Sequence, residues 1–257
     1  MKQATVSRIT TMRLVGRGVW LELLRRQDLY VCGMVMLVFM LGVLIMRIVG
    51  IDNPATGTFM LNMGLSLASI CAHVLLLLLA IRQLPLEIEN RTLYTLLARP
   101  VRRADVVLAK WLAVGMGGAM VYSVLVLLAW GSVPKLEFYD AAMLGQMLML
   151  QVLSLLVLAG FCVALSLALP RGLAFLVGVG TYFGGGSLRR VIGQGSGVRR
   201  ILAAYIPDWG MLDATTRYTD GIEALGVGSL GALLGYGAIM LVVFLVAAIA
   251  LFERRRL

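Results

Sequence analysis

The chain has 257 residues, 60% of them hydrophobic, with a mean hydropathy of +0.93 and a formal net charge of +10. Soluble domains run at about 45–50% apolar, so the composition points to a membrane-embedded chain and leaves little sequence for a separate catalytic domain. In such a chain the positive charge fits anchoring at an anionic inner leaflet, and no nucleic-acid partner is expected.

Residues 1–28 come first. Ile9, Met12, Val15, Val19, Trp20 and Leu23 recur at helical spacing, while Arg8, Arg13, Arg17 and Arg25 fall largely elsewhere. This pattern predicts a basic amphipathic helix lying in the cytoplasmic interface, with a basic tail as the alternative. A cleaved signal is not expected, because the first apolar run begins only at Leu29 and no small-residue cleavage site follows it.

Six apolar runs follow, at about 29–49, 60–81, 106–130, 143–169, 173–188 and 225–252. A helix needs about 20 such residues to cross a bilayer. The expected fold is therefore an all-α membrane protein, with one six-span domain over 29–257. The fifth run is short and ends in Gly184, Gly185 and Gly186, so it is either irregular there or continues through a bent segment. With six spans, 16 of the 23 Lys and Arg residues fall on the side of the two termini and 7 on the other. That bias places both termini in the cytoplasm and the chain in the inner (cell) membrane.

The connections carry further signals. The segment 87–110 is a charged island between the second and third runs. Within it Ile88, Leu93, Leu96 and Leu97 can share a helical stripe, and Pro100 disfavours helix at Arg99. A short amphipathic surface helix is predicted there, a docking element more often than a plain linker. The outer loop, 189–224, is entered through a glycine-rich, basic stretch, 184–200, that reads as mobile. It continues through 201–206, an apolar piece too short to span, next to Pro207. Such a piece suits a small helix that touches or re-enters the outer leaflet, where its backbone needs cover from protein.

No catalytic constellation is legible. His73 is the only histidine. It reads as a proton relay or, preferably, as a neutral imidazole bonded to a neighbouring helix, with Asn62, Ser66 and Ser69 on its own run. Gln146, Gln151 and Ser154 on the fourth run are candidates for bonds across helices or for lining a path. Ser187 has no base placed near it. The methionines, among them Met34, Met36, Met40, Met143, Met147 and Met149, read as packing rather than copper ligands. Cys32, Cys71 and Cys162 suggest neither a disulfide framework nor a metal site. None of the three lysines, Lys2, Lys110 and Lys135, follows a glycine, so the chain has no phosphate-binding P-loop of its own.

The island 87–110 resembles the signature region of type-2 ABC exporter permeases. The matches are Glu87 and Glu89, Thr92 and Leu93, Leu96 and Leu97, Pro100, Arg103 and Lys110; Arg91 and Ala109 stand where that family tends to have glycine. The basic amphipathic start, six spans, a long outer loop holding Tyr205, Ile206 and Pro207, and a short basic tail are similar too. The resemblance implies a permease that pairs with a second copy or a related permease and binds separate ABC ATPase subunits. ATP and Mg would sit on those ATPases, with no cofactor in this chain. The element between spans 2 and 3 would be the cytoplasmic coupling helix, with Leu93, Tyr94, Leu96 and Leu97 as contact face. Tyr205, Pro207 and Trp209 become outer-gate candidates. A scaffold or maturation-factor subunit of the same fold is the alternative, and an intramembrane enzyme a remoter one. The apolar composition suits a hydrophobic or amphipathic cargo.

Overall fold

The computed structural model describes residues 18, 21, 25, 27–49, 54–89, 103–132, 140–194 and 207–254, with positions 54, 55, 84, 86–89 and 103 as backbone only. Among the described residues there are seven α-helices, one 3-10 turn and no strand. We number the helices α1 (Gln27–Ile48), α2 (Pro54–Glu89), α3 (Arg103–Ser132), α4 (Ala141–Ala168), α5 (Arg171–Gly193), α6 (Thr215–Thr219) and α7 (Val227–Arg254). The 3-10 turn is Trp209–Leu212. Five of them, α1, α2, α3, α4 and α7, are long and apolar enough to cross a membrane. Helix α5 has the length, at 23 residues, but its glycines and arginines lower its hydropathy.

Helices α2, α3 and α4 form the core. Their apolar windows are 67%, 61% and 56% buried, against 17% for α1 and 22% for α7, which flank the core and present broad apolar faces outward. Helix α4 packs against α2, α3, α5 and α7. Small residues permit the close approaches: a Cβ at Gly118 of α3 would come within 2.6 Å of Leu76 Cδ1 on α2. Cys32 on α1 donates to the Cys71 carbonyl of α2 at 3.7 Å, and Trp111 of α3 donates to the Leu156 carbonyl of α4 at 2.9 Å. The methionines are dispersed: Met36, Met143 and Met147 lie in the core, whereas Met34 and Met149 are exposed.

Helix ends follow local chemistry. Asp140 caps α4 by accepting from Ala142 N at 2.9 Å. Leu169 is extended before Pro170, and Pro170, at φ −58°, opens α5. The second apolar run does not stop near Ile81: α2 continues past Pro85 to Glu89, a helix of 36 residues. At 1.5 Å per residue that is about 54 Å, well beyond a hydrocarbon layer of about 30 Å.

Two readings of the sequence are corrected. The glycine-rich stretch expected to be mobile is helical from Gly184 to Gly193, as α5 runs straight through the triple glycine. The expected outer loop is also partly structured. Trp209, Leu212, Ala214, Thr215 and Tyr218 are buried, and this segment folds back onto α2, α4 and α5. The stretch 201–206, expected to do this, lies outside the described residues, as does most of the predicted interfacial helix; residues 18, 21 and 25 are helical and exposed.

Candidate functional site

A polar cluster lies inside the apolar bundle where α2 meets α4. Ser69 and His73, one turn apart on α2, face Gln151 and Ser154 on α4, and all four are buried. His73 Nδ1 is 2.8 Å from the Ser69 carbonyl, which only accepts, so Nδ1 carries the proton. Nε2, 3.2 Å from Ser154 Oγ, then accepts from that hydroxyl. Gln151 Nε2 donates to Ser69 Oγ at 2.7 Å. Donor and acceptor roles are thus divided as a neutral imidazole requires. The preferred sequence reading of His73, a bonded histidine between helices, agrees with this geometry. Asn62 and Ser66 pair with each other, at 3.5 Å.

The cluster has an aromatic cover. Tyr182 of α5 stacks on His73 with ring centroids 4.6 Å apart, and Trp209 lies 6.5 Å from Tyr182 and 6.3 Å from Phe161. Asp213 lies exposed in the folded-back segment, between the buried Leu212 and Ala214. It anchors the start of α6 by accepting from Thr215 N at 2.9 Å.

A second set of contacts fastens residues 207–212 to the ends of α5 and α7. Arg189 of α5 is 3.9 Å from Asp208, and its guanidinium lies 5.6 Å from the ring centroid of Tyr236 on α7. Tyr236 Oη accepts from Asp208 N at 3.0 Å and from Arg189 at 3.4 Å. The triple glycine makes the fit possible. A Cβ at Gly185 would stand 2.8 Å from the Pro207 carbonyl oxygen, and one at Gly186 would stand 3.2 Å from Asp208 Oδ1. Nearby, Gln146 of α4 clasps Leu225 twice, donating to its carbonyl at 3.1 Å and accepting from its N–H at 2.8 Å.

Of the outer-gate candidates, Pro207 and Trp209 are buried in this seam, and Tyr205 lies outside the described residues. Ser187 is exposed on α5. Glu87 and Glu89 are on the last turn of α2, and Arg103 opens α3, each as backbone. Thr92, Leu93, Leu96, Leu97 and Pro100 lie outside the described residues. Sequence reasoning missed Tyr182, Arg189, Asp208, Asp213 and Tyr236. A tyrosine in an otherwise apolar run, such as Tyr236, was the available signal, since its hydroxyl needs a partner when buried.

A bundle of long apolar helices tied by internal polar pairs is a multi-pass membrane protein. The sequence model described as ABC-2 family transporter protein matches residues 20–257. The chain belongs to this family, whose members are membrane components of transport and not themselves catalytic, and which implies partnership with an ABC ATPase component. None of the curated proteins compared with the chain matches it.

Proposed function

We propose that this chain is the permease subunit of an ATP-driven exporter, working as a homodimer or with a related permease and bound to two separate ATPase subunits that hold ATP and Mg. Six spans, with α5 as the fifth, leave both termini in the cytoplasm of an inner-membrane protein. The residues 87–103, with Glu87, Glu89, Thr92, Leu93, Leu96, Leu97, Pro100 and Arg103, form the coupling element on that side.

The observation that carries this reading is the unbroken course of α2. One helix joins the Ser69–His73 cluster to the Glu87 and Glu89 end, about 24 Å further along its axis at 1.5 Å per residue. A push at that end by closing ATPases passes along α2, through the turn that holds Pro85, to the His73 cluster. Because α2 also touches α6 and grips α4, the push reaches the folded-back segment at the opposite end. Pro207 and Trp209 then act in the outer gate. The cargo is hydrophobic or amphipathic, in keeping with a chain that is 60% hydrophobic.

Leu96→Asp tests the coupling element. It is expected to abolish co-purification with a tagged ATPase partner while leaving membrane insertion intact; undiminished pull-down would sink the assignment.

A further inference from the structure

At the end of α5, beside the Arg189–Asp208 pair, lies an open cleft of about 720 Å³. Arg189, Arg190 and Gln194 line one wall, and Asp208 and Met211 the other. Two guanidinium groups and one carboxylate therefore share one space. Arg189 is fixed there by its ion pair and by Tyr236, so it is held in place before any ligand arrives. Arg190 is exposed and makes no bond to another described residue. The carbonyls that end α5, near Gly193, add partial negative charge next to Asp208. One apolar side chain, Met211, lines the cleft and is 47% exposed.

Charges of both signs in one cleft, beside an exposed methionine at the end of a helix in an apolar bundle, match a zwitterionic lipid. We propose that this cleft binds the headgroup of a phosphoethanolamine lipid, with the phosphate diester on Arg190 and Arg189 and the primary ammonium on Asp208. Arginine suits the phosphate because its planar fork presents paired N–H donors. Asp208 discriminates among headgroups. A choline headgroup has no N–H to donate to it, and a glycerol headgroup brings no positive charge. Met211 takes the first carbons of an acyl chain. This site goes beyond the permease reading, and its test needs no ATPase, so either can fail alone.

The full-length protein, purified and exchanged into mixed micelles with equal fractions of phosphatidylethanolamine, phosphatidylcholine and phosphatidylglycerol, would be measured by native mass spectrometry. Retention of the ethanolamine lipid is expected to exceed that of the choline lipid about tenfold, the worth of one charge-assisted hydrogen bond. Arg190→Gln, at an exposed position that leaves the fold intact by gel filtration, is expected to lower retention of all three lipids severalfold, since each carries the phosphate. Asp208→Asn is expected to bring the glycerol lipid level with the ethanolamine lipid. Equal retention of all three lipids by the unaltered protein, or full retention by Arg190→Gln, would overturn the proposal. Glycerophosphoethanolamine and inorganic phosphate serve as soluble probes and are expected not to displace the lipid. Displacement by either would assign the cleft to a soluble phosphate and overturn the lipid assignment.

Discussion

His73 Nε2 and Ser154 Oγ meet at 3.2 Å and join α2 to α4 across 81 residues of sequence. In a bundle surrounded by lipid, where apolar faces gain little by leaving the tails for one another, such a pair helps fix which helix faces which. Ser154→Ala leaves Nε2 without its donor. Transmembrane hydrogen bonds average about 0.6 kcal/mol and reach about 1.7, so a melting-temperature drop of about 1–7 °C is expected. His73→Ala is expected to cost more, since it also opens a void beside Tyr182. The double variant should cost less than the sum, because the two residues share one interaction. Strict additivity in thermal melts would show that the pair contributes nothing.

Gly185 gives a sharper test, because the effect depends on one atom. Gly185→Ala sets a Cβ 2.8 Å from the Pro207 carbonyl oxygen, closer than real Cβ contacts come. Either α5 or the segment at 207–212 has to shift. Gly180, on the same helix, has nothing within 4 Å of a built Cβ. Gly180→Ala is expected to stabilise by up to about 1 kcal/mol through helix propensity. Gly185→Ala should destabilise despite the same propensity gain, and should raise thiol labelling of a cysteine placed at Met211. Two alanines with the same sign of effect would refute the close contact.

The contrast between these glycines shows where sequence reading works and where it stops. Five of the six apolar runs are legible because each becomes a helix long and apolar enough to cross a membrane. The break between the fourth and fifth is written in Pro170. Ser69 and His73, and also Gln151 and Ser154, are visible as polar groups on apolar runs, and a bonded histidine is the expected outcome. What spacing does not give is the pairing, which depends on the register of α2 against α4. The triple glycine misleads because low helix propensity and tertiary closeness leave the same mark in a sequence. Here the close approach of Pro207 decides. The contacts among Arg189, Asp208 and Tyr236 are separated by 19, 28 and 47 residues, so no local pattern announces them. A coupling role for the residues from Thr92 to Pro100 is proposed from the sequence alone, since they lie outside the described residues.

Gln146 offers a test of the connection into α7. Its amide presents one donor and one acceptor to the backbone of Leu225, as a neighbouring strand would. Gln146→Glu keeps the acceptor and loses the donor, bringing a carboxylate against the Leu225 carbonyl. Gln146→Leu loses both. Each unmade bond to a part-buried backbone group costs on the order of 1 kcal/mol. Hydrogen exchange at the Leu225 amide is therefore expected to speed up more in the leucine variant than in the glutamate variant at neutral pH. Equal protection in both would mean that the clasp does not order the segment before α7.

Tyr236 separates two roles that one side chain plays. Its hydroxyl oxygen accepts from Asp208 N and Arg189, and its ring lies 5.6 Å from the Arg189 guanidinium carbon. Tyr236→Phe removes the oxygen and keeps the ring. The Asp208 N–H then loses its acceptor, and the segment at 207–212 is expected to open several-fold more often, read as the labelling rate of a cysteine at Met211. Tyr236→Leu removes the ring as well, with a further loss of about 0.5–1 kcal/mol from the cation–π contact. The order expected is leucine fastest, phenylalanine intermediate, tyrosine slowest. If phenylalanine labels at the tyrosine rate, the hydroxyl does not hold the segment and its fastening rests on the Arg189–Asp208 pair. That pair would then be sensitive to salt, since both side chains reach solvent.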